Sequence, residues 1–283
     1  MILKTDIFPI NYFKSIWTPV QAFKNRHELK WWQLLIVTIF LNALLIIPVT
    51  INYAKIDTFP LEDFYPNAVE MIDEELIQPL GEANYSSGVM TLEESFLIEN
   101  EHGIVAGGLE AEEQETIMEE ANVLIFEPNQ FILIEEGVPL STVLYTRDFT
   151  LENIQSIQEI REELGRQWFN QNRVLIVLIF SLMIAAFLFV MTFLIVAGAA
   201  FLMYLTKKTD FTSITTYKES VNFILNLLSL PTIVALIISL FYFDIILMLS
   251  IQYMGLVLLL LLTFYQTQFN DQVLLEKEIE KKT

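Results

Sequence analysis

The sequence contains no cysteine and only two histidines among its 283 residues. The first absence excludes a disulfide framework, thiolate metal sites and cysteine nucleophiles. The histidines, His27 and His102, fall in segments that the topology below assigns to opposite sides of a membrane. That excludes a histidine-pair metal site and intramembrane metalloprotease chemistry. Glycine is sparse at 9 residues, and none of it forms a phosphate-binding loop, a dinucleotide fingerprint or a Gly-x-Ser-x-Gly elbow. Cations are scarce as well, with 16 Lys and Arg against 35 Asp and Glu and a formal charge of −19. No enzymatic activity, cofactor, metal or nucleic-acid partner is expected.

What the sequence does contain is apolar surface, at 54% hydrophobic residues, and this must be segregated from the charge. Residues 55–172 hold 26 acidic and four basic residues, a net charge of −22, and the remainder is mildly basic and very apolar. Residues 31–54 form an uncharged run, which as a helix would span roughly 35 Å, enough to cross a bilayer core of about 30 Å. With some thirty residues ahead of it and no small-residue cleavage pattern after it, the run is expected to stay as an uncleaved anchor. A second run at 174–205 is uncharged for 32 residues, too long for a perpendicular span and too short for two, so it is read as one tilted or protruding helix. Runs at 221–240 and 245–265 flank Phe241-Tyr242-Phe243-Asp244, an interfacial turn in a tight helical hairpin.

The cations orient this arrangement. Lys4, Lys14, Lys24, Arg26 and Lys30 precede the first span, Lys207, Lys208 and Lys218 lie between the second and third, and Lys277, Lys281 and Lys282 follow the fourth. Cations in short loops are retained on the cytoplasmic side. The expected protein is therefore an α-helical integral membrane protein of the plasma membrane with about four transmembrane helices, both termini cytoplasmic, and a small extracytoplasmic α+β domain between the first and second spans. Its segments are a cytoplasmic interfacial stretch (1–30), the first span (31–54), an acidic outer domain (55–172), a long second span (173–206), a cytoplasmic loop (207–219), the third and fourth spans (220–241 and 244–265) and a cytoplasmic tail (266–283).

Before the first span, Phe8, Tyr12, Phe13, Ile16, Trp17 and Val20 recur at helical spacing, with Pro9 where a helix can begin and Pro19 where it should bend or stop. Two readings fit this stripe: a helix lying on anionic lipid, or one packed against the cytoplasmic ends of the bundle. In the outer domain a short helix is expected around 69–77. Strands are expected at 95–98, 122–126, 131–134 and 141–145, joined by turn signals into an antiparallel meander. From Leu151 the apolar positions return to helical period and run on into the second span, with Gly165 the one breaker. The acidic stretch 109–121 lacks the alternating ligands and turn glycine of a calcium loop and reads as a solvated helix or loop. Asn84-Tyr85-Ser86 matches a glycosylation acceptor.

Polar residues inside the spans, among them Asn42, Asn222, Asn226, Ser229, Thr232 and Gln252, could line a solute path or bond helix to helix, and helix bonding is the preferred reading. Ala197, Gly198, Ala199 and Ala200 form a small-residue patch where another helix can approach. Ala197, Gly198, Ala200, Asn222 and Asn226 are the candidate helix-helix or partner contacts.

Two local patterns stand out: Ser15-Ile16-Trp17-Thr18-Pro19 with Lys24-Asn25-Arg26 ahead of the first span, and Tyr217-Lys218-Glu219-Ser220 leading to Leu230-Pro231-Thr232 in the third. In these patterns and in layout the chain resembles the DUF1189 family of membrane proteins from Gram-positive bacteria, distantly like the Yip1-type proteins. Some members of that family are named for maltodextrin utilisation, after their association with genes for maltodextrin ABC transport. The resemblance implies a noncatalytic accessory or regulatory membrane subunit of carbohydrate uptake, in contact with lipid and with ABC permease subunits. It carries over no ligand-binding residue, and Pro19 and Pro231 read as positions that end or kink a helix. The alternatives are a small transporter or channel acting alone, and a sensor signalling through the long second helix.

Overall fold

The computed structural model describes residues 7–208 and 212–280. Lys4, Lys281 and Lys282, counted above among the orienting cations, lie outside the described residues. In chain order these form helices α1 (Ile10–Ser15), α2 (Pro19–Lys24), α3 (Trp31–Tyr53), α4 (Pro66–Glu70) and α5 (Ile77–Gly81), then strands β1 (Asn84–Ser86), β2 (Val89–Thr91), β3 (Phe96–Asn100) and β4 (Gly103–Gly107). Helix α6 (Ala111–Ile117) leads to strands β5 (Val123–Phe126), β6 (Gln130–Glu135) and β7 (Val138–Leu144), and helices α7 (Ile157–Leu205), α8 (Tyr217–Phe241), α9 (Ile245–Thr267) and α10 (Asp271–Glu280) complete the chain. The chain divides into two compact units, Lys55–Ile176 and the remainder.

In the helical unit, α3, α7, α8 and α9 are long and apolar enough to cross a membrane. They are the four apolar runs. Helix α8 is the most enclosed, and its Phe223, Ile224 and Leu228 pack with Phe23, Leu34 and Leu41. A second cluster joins Leu45 and Val49 of α3 to Leu188, Ala235 and Met248. Pro231 sits inside α8 without ending it. A Cβ built on Gly255 of α9 would lie 2.7 Å from the Pro231 Cβ, so the glycine is what lets α8 and α9 approach at this level. The hairpin turn closes as Asp244 accepts the backbone N–H of Leu247 at 2.7 Å and caps α9.

The amino-terminal stripe forms two short helices instead of one. Pro19 opens the second of them, at its first position behind the Thr18 N-cap, because proline's missing N–H is harmless there. Tyr12 and Ile16 are buried in the bundle core, whereas Phe13 and Trp17 remain exposed. Tail residues also fold back, with Leu274 of α10 buried in the same core.

The second unit departs from the expected meander. Its five-stranded sheet has the order β3-β4-β5-β6-β7, and β4 pairs with β5 in parallel through the α6 crossover. Strand β4, which begins and ends in glycine, is absent from the expected strands. Gly107 has a structural reason, since a Cβ there would fall 2.6 Å from the ring of Phe96 on β3. Beside the sheet, β1 and β2 form a hairpin turned by Ser87 and Gly88, both at positive φ. The helical pattern from Leu151 begins to be helix only at Ile157, after Asn153 takes a left-handed conformation and Ser156 accepts the N–H of Glu159. The first turns of α7 then cover the β7 edge. Gln171 accepts from the Leu144 N–H at 2.9 Å and donates to the Thr142 carbonyl at 2.8 Å, which satisfies groups an edge strand leaves open.

Candidate functional site

The most highly built polar site lies in the helical unit, around Arg26. Helix α2 stops at Lys24, with Asn25 as its C-cap, and the Asn25 amide donates to Ser15 Oγ at 2.9 Å. This stop turns Arg26 inward, where it is 1% exposed. Its Nη1 donates to the Phe23 carbonyl at 2.9 Å and to Asp271 Oδ1 at 3.1 Å, and its Nη2 donates to Asp271 Oδ2 at 2.6 Å and to the Ser213 carbonyl at 3.3 Å. The guanidinium carbon stands 4.1 Å from the centre of the Phe23 ring. A planar cation held on a ring face and gripped by both oxygens of one carboxylate is a geometry that Arg supports and Lys does not.

A second carboxylate faces the remaining edge of Arg26, with Glu219 Oε2 3.9 Å from Nε. Glu219 is fixed in the first turn of α8. It accepts from the Thr215 N–H at 3.0 Å, the Thr215 hydroxyl at 2.8 Å and the Thr216 hydroxyl at 2.9 Å, and its own N–H donates to Thr216 Oγ1. Thr216 and Glu219 thus complete a capping arrangement at the start of α8. His27 Nδ1 lies 3.6 Å from Glu219 Oε1. Ser213 ties the loop before α8 to the tail, accepting from the Asp271 N–H through its hydroxyl and donating its N–H to the Phe269 carbonyl. One buried cation therefore joins α2, the loop before α8, α8 and α10.

From Glu219 a file of polar residues descends α8. Asn222 and Asn226 follow at the spacing that keeps one face, and the Asn226 amide donates to the Ala22 carbonyl at 3.4 Å. Ser229 Oγ is 2.5 Å from Tyr12 Oη, and Thr232 accepts from Gln252 Nε2 of α9 at 2.9 Å. Elsewhere in the unit Thr192 donates to Asn42 at 3.1 Å and Thr50 to Ser181 at 3.2 Å.

The five candidate contact residues separate under this geometry. Asn222 and Asn226, 0% and 1% exposed, face the interior of the chain's own bundle, where the Asn226 amide bonds the Ala22 carbonyl and the Asn222 amide is buried without a hydrogen-bond partner. Ala200 is fully buried. The Ala197 carbonyl accepts from Tyr217 Oη at 3.3 Å. Only Gly198 faces open space, with nothing within 4 Å of a Cβ built there.

The other unit carries a smaller charged cluster. Arg166 is held by Glu163 at 2.7 Å through both Nε and Nη2 and by Asp148 at 2.7 Å through Nη1. The Thr146 hydroxyl, donating at 2.6 Å, and then Arg166 hold the Asp148 carboxyl below its ordinary range. Burial, and after it Tyr85 and Glu127, push the Tyr145 hydroxyl far up, its ring stacked on Phe149 at 3.9 Å. Among the described residues no group of three or more His, Asp and Glu stands close enough to hold a metal ion. The acidic stretch folds as α6, whose Ile117 is buried against Ala106 and Val123.

Comparison with known proteins places this architecture. The maltodextrose utilization protein MalA of Streptococcus pneumoniae is 34% identical over 266 residues, which cover 93% of this chain and 97% of that protein. The chain belongs to its family. A Bacillus subtilis protein, YvdJ, named provisionally for maltodextrin utilization, is 24% identical over 272 residues, 93% of this chain and 90% of its own length. No family model matches the chain, so the DUF1189 resemblance rests on its motifs alone. No solved structure matches it. In this member of the maltodextrin-utilization family the two motifs meet at Arg26 and Glu219. Sequence reasoning missed their partners Asp271 and Ser213 and the Tyr12–Ser229 contact. The available signals were the Thr216-x-x-Glu219 cap and the lone arginine directly after a short amphipathic helix.

Proposed function

We propose that this chain is a noncatalytic, multi-pass subunit of the plasma membrane that supports maltodextrin uptake, associated with the permease subunits of an ABC transport system. In this reading α3, α7, α8 and α9 are the spans, both termini are cytoplasmic, and the acidic unit is extracytoplasmic. The observation that carries it is the use of the spans' polar side chains. Gln252 with Thr232, Thr192 with Asn42, Ser181 with Thr50 and Ser229 with Tyr12 are bonded pairwise between segments of one chain, as expected for a bundle held together by interhelical hydrogen bonds instead of one lining a solute path. The names of the related proteins supply the maltodextrin connection. Purification from cells grown on maltodextrin in mild detergent, followed by mass spectrometry, tests the assignment. Permease subunits should co-purify, and deletion of the gene should slow growth on maltodextrin more than on glucose. Maltodextrin movement into liposomes holding this chain alone would favour the stand-alone transporter.

A further inference from the structure

A cleft of about 320 Å³ lies between α3, α7 and α8. Its walls run from Trp31 to Thr38 on α3, from Tyr217 to Leu225 on α8 and from Phe189 to Ala197 on α7. Each wall advances seven or eight residues, about 10–12 Å of helix, so the cleft is a slot parallel to the helix axes. Leu34, Val196, Val221 and Leu225 form its buried floor, while Trp31, Leu35 and Phe193 are more than half exposed at its rim. The two hydroxyls on its walls are already used: Thr38 Oγ1 donates to the Leu34 carbonyl at 2.9 Å and Tyr217 Oη to the Ala197 carbonyl. A slot of this kind does not hold water.

Its mouth is different in character. Trp31 is the first residue of α3, directly after Lys30, and Tyr217 is the first of α8, directly before Lys218. The Tyr217 ring lies 6.2 Å from that of Tyr204, over which the Lys207 ammonium sits at 5.5 Å. Three aromatic rings and the Lys207 ammonium therefore stand at one end of an apolar slot, with Lys30 and Lys218 the chain neighbours of two of the rings. Glu219, the acidic residue closest in sequence to this wall, is engaged with Arg26 and the Thr215 and Thr216 hydroxyls.

We propose that this cleft binds one anionic phospholipid, an acyl chain in the slot and the phosphate against Lys207, Lys218 and Lys30. The proposal rests on the membrane reading above, under which the mouth faces the anionic cytoplasmic leaflet. The shape argues against a partner's helix. A helix with side chains is about 10 Å wide and docks on small residues, whereas this slot is walled by Trp31, Phe189, Phe193 and Tyr217 and offers only Ala197 and Thr38, on different walls, as small residues. A single flexible chain fits between such rings.

The test is native mass spectrometry of the full chain after exchange into micelles holding equal phosphatidylglycerol and phosphatidylcholine. One phosphatidylglycerol should stay bound in preference to phosphatidylcholine, and Lys207→Gln and Lys218→Gln should each lower that preference about fivefold. Lys207 is exposed and Lys218 half-buried, and unchanged thermal midpoints verify that both variants leave the fold intact. Ala197→Phe, which fills the slot, should release both lipids. A photo-crosslinker at Leu35 should give a lipid adduct in cells. Retention of both lipids equally, unchanged preference in the lysine variants, or a protein adduct at Leu35 would overturn the assignment while leaving the membrane reading intact. Extraction of the wild-type chain by alkaline carbonate would overturn both.

Discussion

Arg26 and Asp271, 245 residues apart, form a two-pronged ion pair with contacts of 3.1 and 2.6 Å. The two ends of the pair are unequal. The Arg26 side chain is 2% exposed and that of Asp271 50%, so the carboxylate can return to water when its partner is lost and the guanidinium cannot.

On that asymmetry alone the loss of Asp271 would be the costlier, since it strands the buried guanidinium, and the groups around the pair reverse the order. Arg26→Ala leaves the enclosed Glu219 without its cation and empties the space above Phe23, which should cost about 3–5 kcal/mol. Asp271→Asn leaves Arg26 its two carbonyl bonds and Glu219, and should cost about 1 kcal/mol. Thermal unfolding in one detergent measures both. Equal losses would show that Asp271, not the buried cation, organises the site.

What the sequence made legible follows the range of the physics. An uncharged run of 24 residues or more is a helix for the reason that makes it apolar, so α3, α7, α8 and α9 were readable from local composition. Strand β4 was not, because Gly103 and Gly107 look like punctuation until the Phe96 ring is seen lying over one of them. The Arg26 site was half legible: both motifs could be marked, but nothing local says that residues 26, 219 and 271 meet. Asn222 and Asn226 were correctly placed on one face, yet whether that face looked outward or inward depended on α2, whose existence turned on Pro19 opening a helix instead of closing one.

Gly255 should be intolerant of any side chain. A Cβ there meets the Pro231 Cβ at 2.7 Å and Cγ at 2.9 Å, and a proline ring on a helix cannot swing aside. Gly255→Ala should therefore destabilise by about 1–3 kcal/mol through overpacking, despite alanine's helix preference of about 1 kcal/mol. Gly198→Ala, with open space around it, should not destabilise. Equal midpoints for both variants would mean that α8 and α9 are not in contact at Pro231.

Asp148 predicts an acid-sensitive contribution in the second unit. Its carboxyl is held below the ordinary value of 3.8 by the Thr146 hydroxyl and by Arg166. A depressed carboxylate stabilises the fold above its unfolded value and loses that contribution as pH falls through the folded one. The difference in thermal midpoint between the wild type and Asp148→Asn should be present at pH 7 and begin to decline as pH falls below about 4, disappearing only below the depressed folded value. Because the Asp148 side chain is 71% exposed, the difference should also shrink in high salt. A difference with no pH dependence at all from pH 7 down to the acid limit of folding would assign the effect to the Thr146 contact and not to charge.

The proposed topology makes the sharpest prediction, because the chain has no cysteine of its own and an introduced one is read against no background. Ser87 stands exposed in the turn between β1 and β2, inside a segment of net charge −22 with only four cations among its 118 residues. Thr209, between α7 and α8 in sequence, lies outside the described residues, so Gln272 on the exposed side of α10 is the better reporter for the other face. The cations Lys14, Lys24 and Lys30 before α3, Lys207 after α7, Lys218 in the first turn of α8, and Lys277 after α9 all fall on the same side when α3, α7, α8 and α9 each cross once, and cations near span ends are retained inside. A membrane-impermeant maleimide should therefore label Ser87→Cys on intact cells and reach Gln272→Cys only after permeabilisation. The reverse pattern would invert the whole arrangement, and labelling of both sites on intact cells would mean that one of the four helices does not span. The lipid site at Lys207 and Lys218 would then face the wrong leaflet or none, so this measurement comes before any lipid experiment.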